Sequence, residues 1–159
     1  MSKFKYLEGL PTIPEYLIPE VYRIIKECKN MYVMEGSPFS EYSATGPLVD
    51  FLTPYFPVGW YITVQLITRN SRIHPDRGRH TVAIYLIETG GQSVATNFYS
   101  APPEQKLIAS YVAEPFRWFQ LDAQVWHGVA GIEPTTPRIS ITAYQPVNLG
   151  KSNNESYYS

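Results

Sequence analysis

From Trp60 onward the chain is a series of short segments rich in β-branched and aromatic residues: YITVQLITR, HTVAIYLIE, SVATNFYS, LIASYVAE, RWFQLDA, HGVAGI and RISITAYQ. Gly, Pro, Asn or Asp separates each from the next. Such residues fit a pleated, buried surface, and the separators end one strand before another begins. No helical periodicity lies between them, which excludes alternating βαβ units. A sandwich, barrel or jelly roll remains. With a brief strand before His74, the expectation is about eight strands.

The first part of the chain reads differently. Residues 19–32, PEVYRIIKECKNMY, predict one helix, with Pro19 in the first turn, where its missing N–H does no harm. Ile18, Val21, Tyr22, Ile25, Cys28 and Tyr32 fall on one stripe at helical spacing, a core-facing pattern. Residues 36–59 read as loop plus a short helical turn near LVDFL. The expected organisation is a single domain over residues 1–148 and a polar, frayed tail over 149–159.

Composition narrows the function classes. The chain has 159 residues, 44% apolar and 17% charged, which is ordinary for one globular domain. A formal net charge of -1 gives no general attraction to nucleic acid or an acidic membrane. Cys28 is the only cysteine, so no internal disulfide forms. A reducing, cytoplasmic setting is expected. The segment MSKFKYLEGLPTIP lacks the apolar run of a signal peptide. No window approaches the roughly 18–20 apolar residues that span a bilayer.

Chemistry concentrates in two places. SRIHPDRGRH puts His74 and Asp76 two positions apart, so on an extended segment both face one side. A third ligand must come from elsewhere in the fold, and His127, which opens a late strand, is the candidate. Two imidazoles and one carboxylate leave coordination positions open, which suits non-heme Fe(II) with a chelating cosubstrate and O2. Structural zinc takes four protein ligands, often thiolates. Ten residues after His127 come Arg138, one residue, and Ser140. The expectation is that GIEPTT turns the chain so that this strand runs back beside the one carrying His127. Arg138 and Ser140 then share a face, and a guanidinium fork beside a hydroxyl grips a carboxylate. A five-carbon 2-oxo diacid has the length to reach from there to the iron.

The order HxD, distal His, ten residues, then RxS resembles the Fe(II)/2-oxoglutarate-dependent dioxygenase superfamily, over roughly residues 60–145. RHTVAIYLIETGG also resembles the strand after HxD in prolyl-hydroxylase-like members, where a tyrosine contacts the 2-oxoglutarate carboxylate. Tyr85 is the matching residue, and plain core packing is its other reading. The resemblance implies an all-β core folded as a double-stranded β-helix (jelly roll, cupin-like) with an N-terminal helix. It implies iron on His74, Asp76 and His127. It implies 2-oxoglutarate on Arg138, Ser140 and Tyr85, and hydroxylation with release of succinate and CO2. Relatives that halogenate have a small residue in place of the HxD carboxylate, and Asp76 is present here. The chain is short for the family, so little length remains for substrate-binding insertions.

Several residues admit other readings. HPDRG has turn composition. His127 fits a buried histidine bonded to backbone, and Arg138 and Ser140 fit ordinary strand residues. His80 opens a strand and is not expected to be a ligand. Gln65 is expected in core or surface, with contact to cosubstrate or substrate as the minor reading. Trp118 and Phe119 are expected in the core. Arg69, Arg72, Arg77 and Arg79 form either a solvated loop or a positive rim for an anionic substrate. The substrate, small molecule or peptide, and the oligomeric state are not encoded in any motif. The competing functions are a non-oxygenase cupin-like metal protein and a structural jelly-roll module without metal.

Overall fold

A computed structural model describes residues 3–32, 34–76 and 79–146, with the backbone but not the side chains of residues 79 and 80. The expectations for the tail 149–159, for Arg77, and for the side chains of Arg79 and His80 lie outside the described residues.

Among the described residues the fold is mostly antiparallel β, with two short α-helices. The strands are β1 (Phe4–Tyr6), β2 (Phe39–Ser43), β3 (Tyr61–Ile67), β4 (Arg79–Thr89), β5 (Ala95–Tyr99), β6 (Leu107–Tyr111), β7 (Trp118–Asp122), β8 (Trp126–Ala130) and β9 (Arg138–Pro146). The helices are α1 (Ile18–Glu27) and α2 (Pro47–Leu52), each with a proline in its first turn. A six-stranded sheet has the order β1-β7-β4-β9-β3-β2, and a three-stranded sheet has the order β6-β5-β8. No helix of the described residues is long and apolar enough to cross a membrane.

The large sheet is buried on both faces. Ala83, Tyr85 and Ile87 of β4 join Ile139, Ile141 and Ala143 of β9 in one core, which α1 and α2 cover with Val21, Ile24, Leu48 and Leu52. The alternate residues Val82, Ile84 and Leu86 enter a second core with Phe98, Phe119 and Leu121. Phe98 comes from β5, so this core joins the two sheets. Each such side chain contributes about 1.5–3 kcal/mol when fully buried.

Helix α1 ends at Glu27, not at residue 32 as its spacing predicts. Cys28 is extended, and Asn30 Oδ1 accepts hydrogen bonds from Tyr32 N at 3.1 Å and Glu41 N at 3.2 Å. An asparagine that takes up nearby backbone N–H groups competes with the helix. The buried stripe is also rotated. Val21 and Ile24 are inside, whereas Tyr22 is 43% exposed and donates its hydroxyl to Glu88.

Two further corrections concern strands. β1 and β2 were not expected, and β2 lies within the span read as loop. β8 and β9 are not neighbours: β8 belongs to the small sheet, and β9 sits between β4 and β3 in the large one. The connection changes sheets at Gly131, whose φ is 91°. A Cβ there would meet the Ser93 carbonyl oxygen at 2.8 Å, so only glycine fits without a shift.

Candidate metal centre

The segment before β4 pairs with β8. His74 N donates to His127 O at 2.8 Å, and His127 N donates to His74 O at 2.9 Å. Residues that exchange both hydrogen bonds in an antiparallel pair project side chains to the same side. The two imidazoles stand 4.7 Å apart between centroids. Asp76 N donates to Ala123 O at 2.8 Å, which fixes the aspartate two residues on, on the same face.

The three side chains converge. Ligand atoms of His74, Asp76 and His127 all lie within 4.8 Å of one another. His74 Nε2 is 3.3 Å from Asp76 Oδ1, and His127 Nε2 is 3.9 Å from Asp76 Oδ2. Ligand atoms adjacent on an ion at about 2.1 Å sit about 3 Å apart, so small inward adjustments bring this set to bonding distance. Both rings are oriented for it. His74 Nδ1 lies 2.7 Å from the Arg72 carbonyl, and His127 Nδ1 lies 2.6 Å from the Val125 carbonyl. Each Nδ1–H therefore donates to backbone, leaving the Nε2 lone pair toward the centre. Burial alone would lower the His74 pKa, but the Asp76 carboxylate and the Arg72 carbonyl outweigh it and the net direction is upward. The donor set fits an ion such as Fe(II).

Arg138 and Ser140 line the same cavity, of about 70 Å³, as His74, Asp76 and His127. Arg138 is 4% exposed. Its guanidinium donates to the Thr89 carbonyl and to Thr96 Oγ1, both at 3.3 Å. Among the described residues no carboxylate pairs with it. Burial pulls its pKa down to about 10, so it stays charged at neutral pH and would gain from an anion. Ser140 is two residues along the strand and on the same face.

Tyr85 does not join them. Its hydroxyl accepts a hydrogen bond from Ile13 N at 3.2 Å, and its ring packs on Trp118 at 5.2 Å. It faces the helices, whereas Val82 and Ile84 of the same strand line the cavity. The resemblance that pointed to Tyr85 is one pleat out of phase with this backbone. Trp118 and Phe119 are core residues, as expected.

Three polar residues of the site region were missed or undervalued. Gln65 faces the cavity, beside Ser140 in register, and its amide donates to Glu41 Oε2 at 3.0 Å. Glu41, fully buried on β2, also accepts from Thr63 Oγ1 at 3.0 Å. Thr96 of β5 lines the cavity and meets Arg138. A carboxylate inside the short segment FSEYS was the available signal, but nothing local marked that segment as a strand.

Neither a protein-family model nor a curated protein matches this chain. Solved structures do. An oxidoreductase of the 2OG-Fe(II) oxygenase family from Burkholderia pseudomallei superposes with TM-score 0.58 at 6% identity, covering 93% of this chain and 89% of that one. A Pseudomonas putida prolyl-4-hydroxylase superposes with TM-score 0.56 at 15% identity, covering 91% and 93%. At such identities the likeness is one of fold. The chain is thus similar in fold to 2OG-Fe(II) oxygenase family members, and it carries a His-Asp-His cluster able to hold a metal ion.

Proposed function

We propose that this chain is an Fe(II)- and 2-oxoglutarate-dependent dioxygenase built on a double-stranded β-helix, most simply a hydroxylase. The observation that carries the reading is one cavity lined by both a two-imidazole, one-carboxylate cluster and a buried arginine without a carboxylate partner among the described residues. A buried cation without a carboxylate partner carries a desolvation cost that an anionic ligand would offset.

His74, Asp76 and His127 would hold the iron, and Arg138 with Ser140 would hold the distal carboxylate of 2-oxoglutarate. Bound iron supplies the coupling of keto-acid decarboxylation by O2, giving succinate and CO2, to oxidation of a substrate C–H. The residues of the chain bind and orient. The guanidinium fork would grip the distal carboxylate with the Ser140 hydroxyl beside it, and the Gln65 amide, held by Glu41, borders the same cavity. Apolar Val82, Ile84, Leu121 and Val129 limit water around the metal. With iron held there, Asp76 would be a carboxylate donor where halogenating members of the family have a small residue, which favours hydroxylation or desaturation over halogenation.

The test is conversion of carbon-labelled 2-oxoglutarate by purified protein with Fe(II) under air, with ascorbate supplying the two electrons that a substrate C–H would otherwise give. Equimolar succinate and CO2, dependent on iron and abolished in His127→Ala, are expected. Protein that binds metal yet leaves the keto acid intact would be a cupin-like metal protein without oxygenase activity.

A further inference from the structure

A second cavity, of about 260 Å³, adjoins the metal site and shares Phe39, Ser71 and His74 with it. Two loops wall it, one around residues 34–38 and one around 69–74. They are tied together: Thr68 N donates to Pro38 O at 2.9 Å, and the Arg69 guanidinium donates to the Gly36 carbonyl. Most polar side chains of this cleft already have partners. Ser37 Oγ exchanges hydrogen bonds with the Phe39 backbone, Asn70 Oδ1 accepts from Ile132 N, and Ser71 Oγ accepts from Val129 N. Among the described side chains, those left to meet a ligand are the Arg72 guanidinium, the other N–H groups of Arg69, and the Glu35 carboxylate. None of the three is in an ion pair among the described residues. Two cations against one carboxylate leave a single positive charge, which matches a monoanion. Tyr32, Met34 and Phe39 give the cleft an apolar wall. The Arg72 carbonyl receives the His74 Nδ1–H at 2.7 Å, so an anion bound at the Arg72 side chain sits two residues from a metal ligand.

We propose that this cleft is the substrate site and that the substrate is an amphipathic organic monocarboxylate. Its carboxylate pairs with Arg72, assisted by Arg69. Its apolar part lies along Met34 and Tyr32, and its far end passes Phe39 and His74 toward the metal. The proposal rests on the inner cavity being the iron and 2-oxoglutarate site.

The experiment uses the full chain loaded with Mn(II) and saturated with 2-oxoglutarate, and reads paramagnetic broadening of the proton NMR lines of hexanoate, hexanol and hexylamine. Hexanoate should broaden, most at its methyl end; hexanol and hexylamine should broaden far less. Arg72→Gln should weaken hexanoate binding by about tenfold, the loss of one charge-assisted contact. It should leave Mn(II) affinity intact, because the backbone carbonyl behind His74 is retained. Glu35→Gln should strengthen hexanoate binding. Equal binding of hexanol, unchanged hexanoate binding in Arg72→Gln, or displacement of hexanoate by 2-oxoglutarate would each overturn the proposal. If Mn(II) does not bind at all, the metal reading fails separately. Saturation transfer from the metal-free chain to hexanoate, compared between wild type and Arg72→Gln, then still decides the cleft.

Discussion

His74 and His127 each give their Nδ1–H to a backbone carbonyl two residues earlier in the chain, so ring orientation is set by the strands that carry them. Replacing either histidine should therefore remove one donor of the proposed metal site without disturbing the other imidazole. His127→Ala is expected to lower Mn(II) affinity by more than the roughly 10–100-fold that loss of an outer partner costs. His80→Ala should leave it unchanged, since His80 is not assigned as a ligand. Calorimetric titration of the two variants checks both, and equal affinity in wild type and His127→Ala would remove that residue from the site. Tyr85 belongs to the opposite face. Tyr85→Phe leaves the buried Ile13 N–H without its acceptor, and should cost about 1–3 kcal/mol in denaturant unfolding. Its 2-oxoglutarate affinity should match wild type; a weaker affinity with unchanged stability would return Tyr85 to the cosubstrate site. At this scale the clustering of His74, Asp76 and His127 was legible, because alternation forces His74 and Asp76 to one side. The side taken by Tyr85 was not. HTVAIYLIE is apolar on both faces, so its pattern does not say which face looks into the cavity.

Element boundaries followed the same logic. The run of strands from β3 to β9 was legible because both faces of the large sheet are apolar and each strand ends at a turn residue. β2 was not, because Phe39–Ser43 holds two serines and a glutamate, and its inward carboxylate is stabilised by Thr63 and Gln65, which are distant in sequence. The end of α1 depends on Asn30 bonding across to Glu41, also a non-local contact. His127 and Arg138 do line one cavity, but not by the path their spacing suggests. The chain does not turn back beside β8; it crosses to the other sheet through Gly131. That crossing is testable. Gly131→Ala puts a Cβ into the Ser93 carbonyl at a left-handed φ, and should cost about 1–3 kcal/mol in thermal or urea unfolding. A change within a few tenths of a kcal/mol would mean that the connection relaxes freely.

For the whole molecule, the two sheets meet along a core on which the cavity borders, with His127 contributed by the small sheet and Arg138 and Ser140 by the large one. Ligands that bridge the sheets should hold them together. Mn(II) at a hundred times its dissociation constant should raise unfolding free energy by about 2.7 kcal/mol, 2-oxoglutarate alone should add little, and 2-oxoglutarate at a hundred times its dissociation constant for the metal-loaded chain should add about 2.7 kcal/mol more. Thermal unfolding with each ligand alone and with both measures this directly. Stabilisation by metal alone, with no further effect of the keto acid, would point to the cupin-like alternative.

In the proposed site the metal cluster and Arg138 serve one ligand in one cavity. The direct measurement is calorimetric titration of 2-oxoglutarate into wild type, Arg138→Lys and Arg138→Ala, each with and without Mn(II). Binding to wild type should require the metal. Arg138→Ala should lose about 2–5 kcal/mol, the cost of leaving a desolvated carboxylate unpaired. Arg138→Lys should also bind less tightly than wild type, because a point ammonium does not reproduce the guanidinium fork. Metal-independent binding, or wild-type affinity in Arg138→Ala, would contradict the claim.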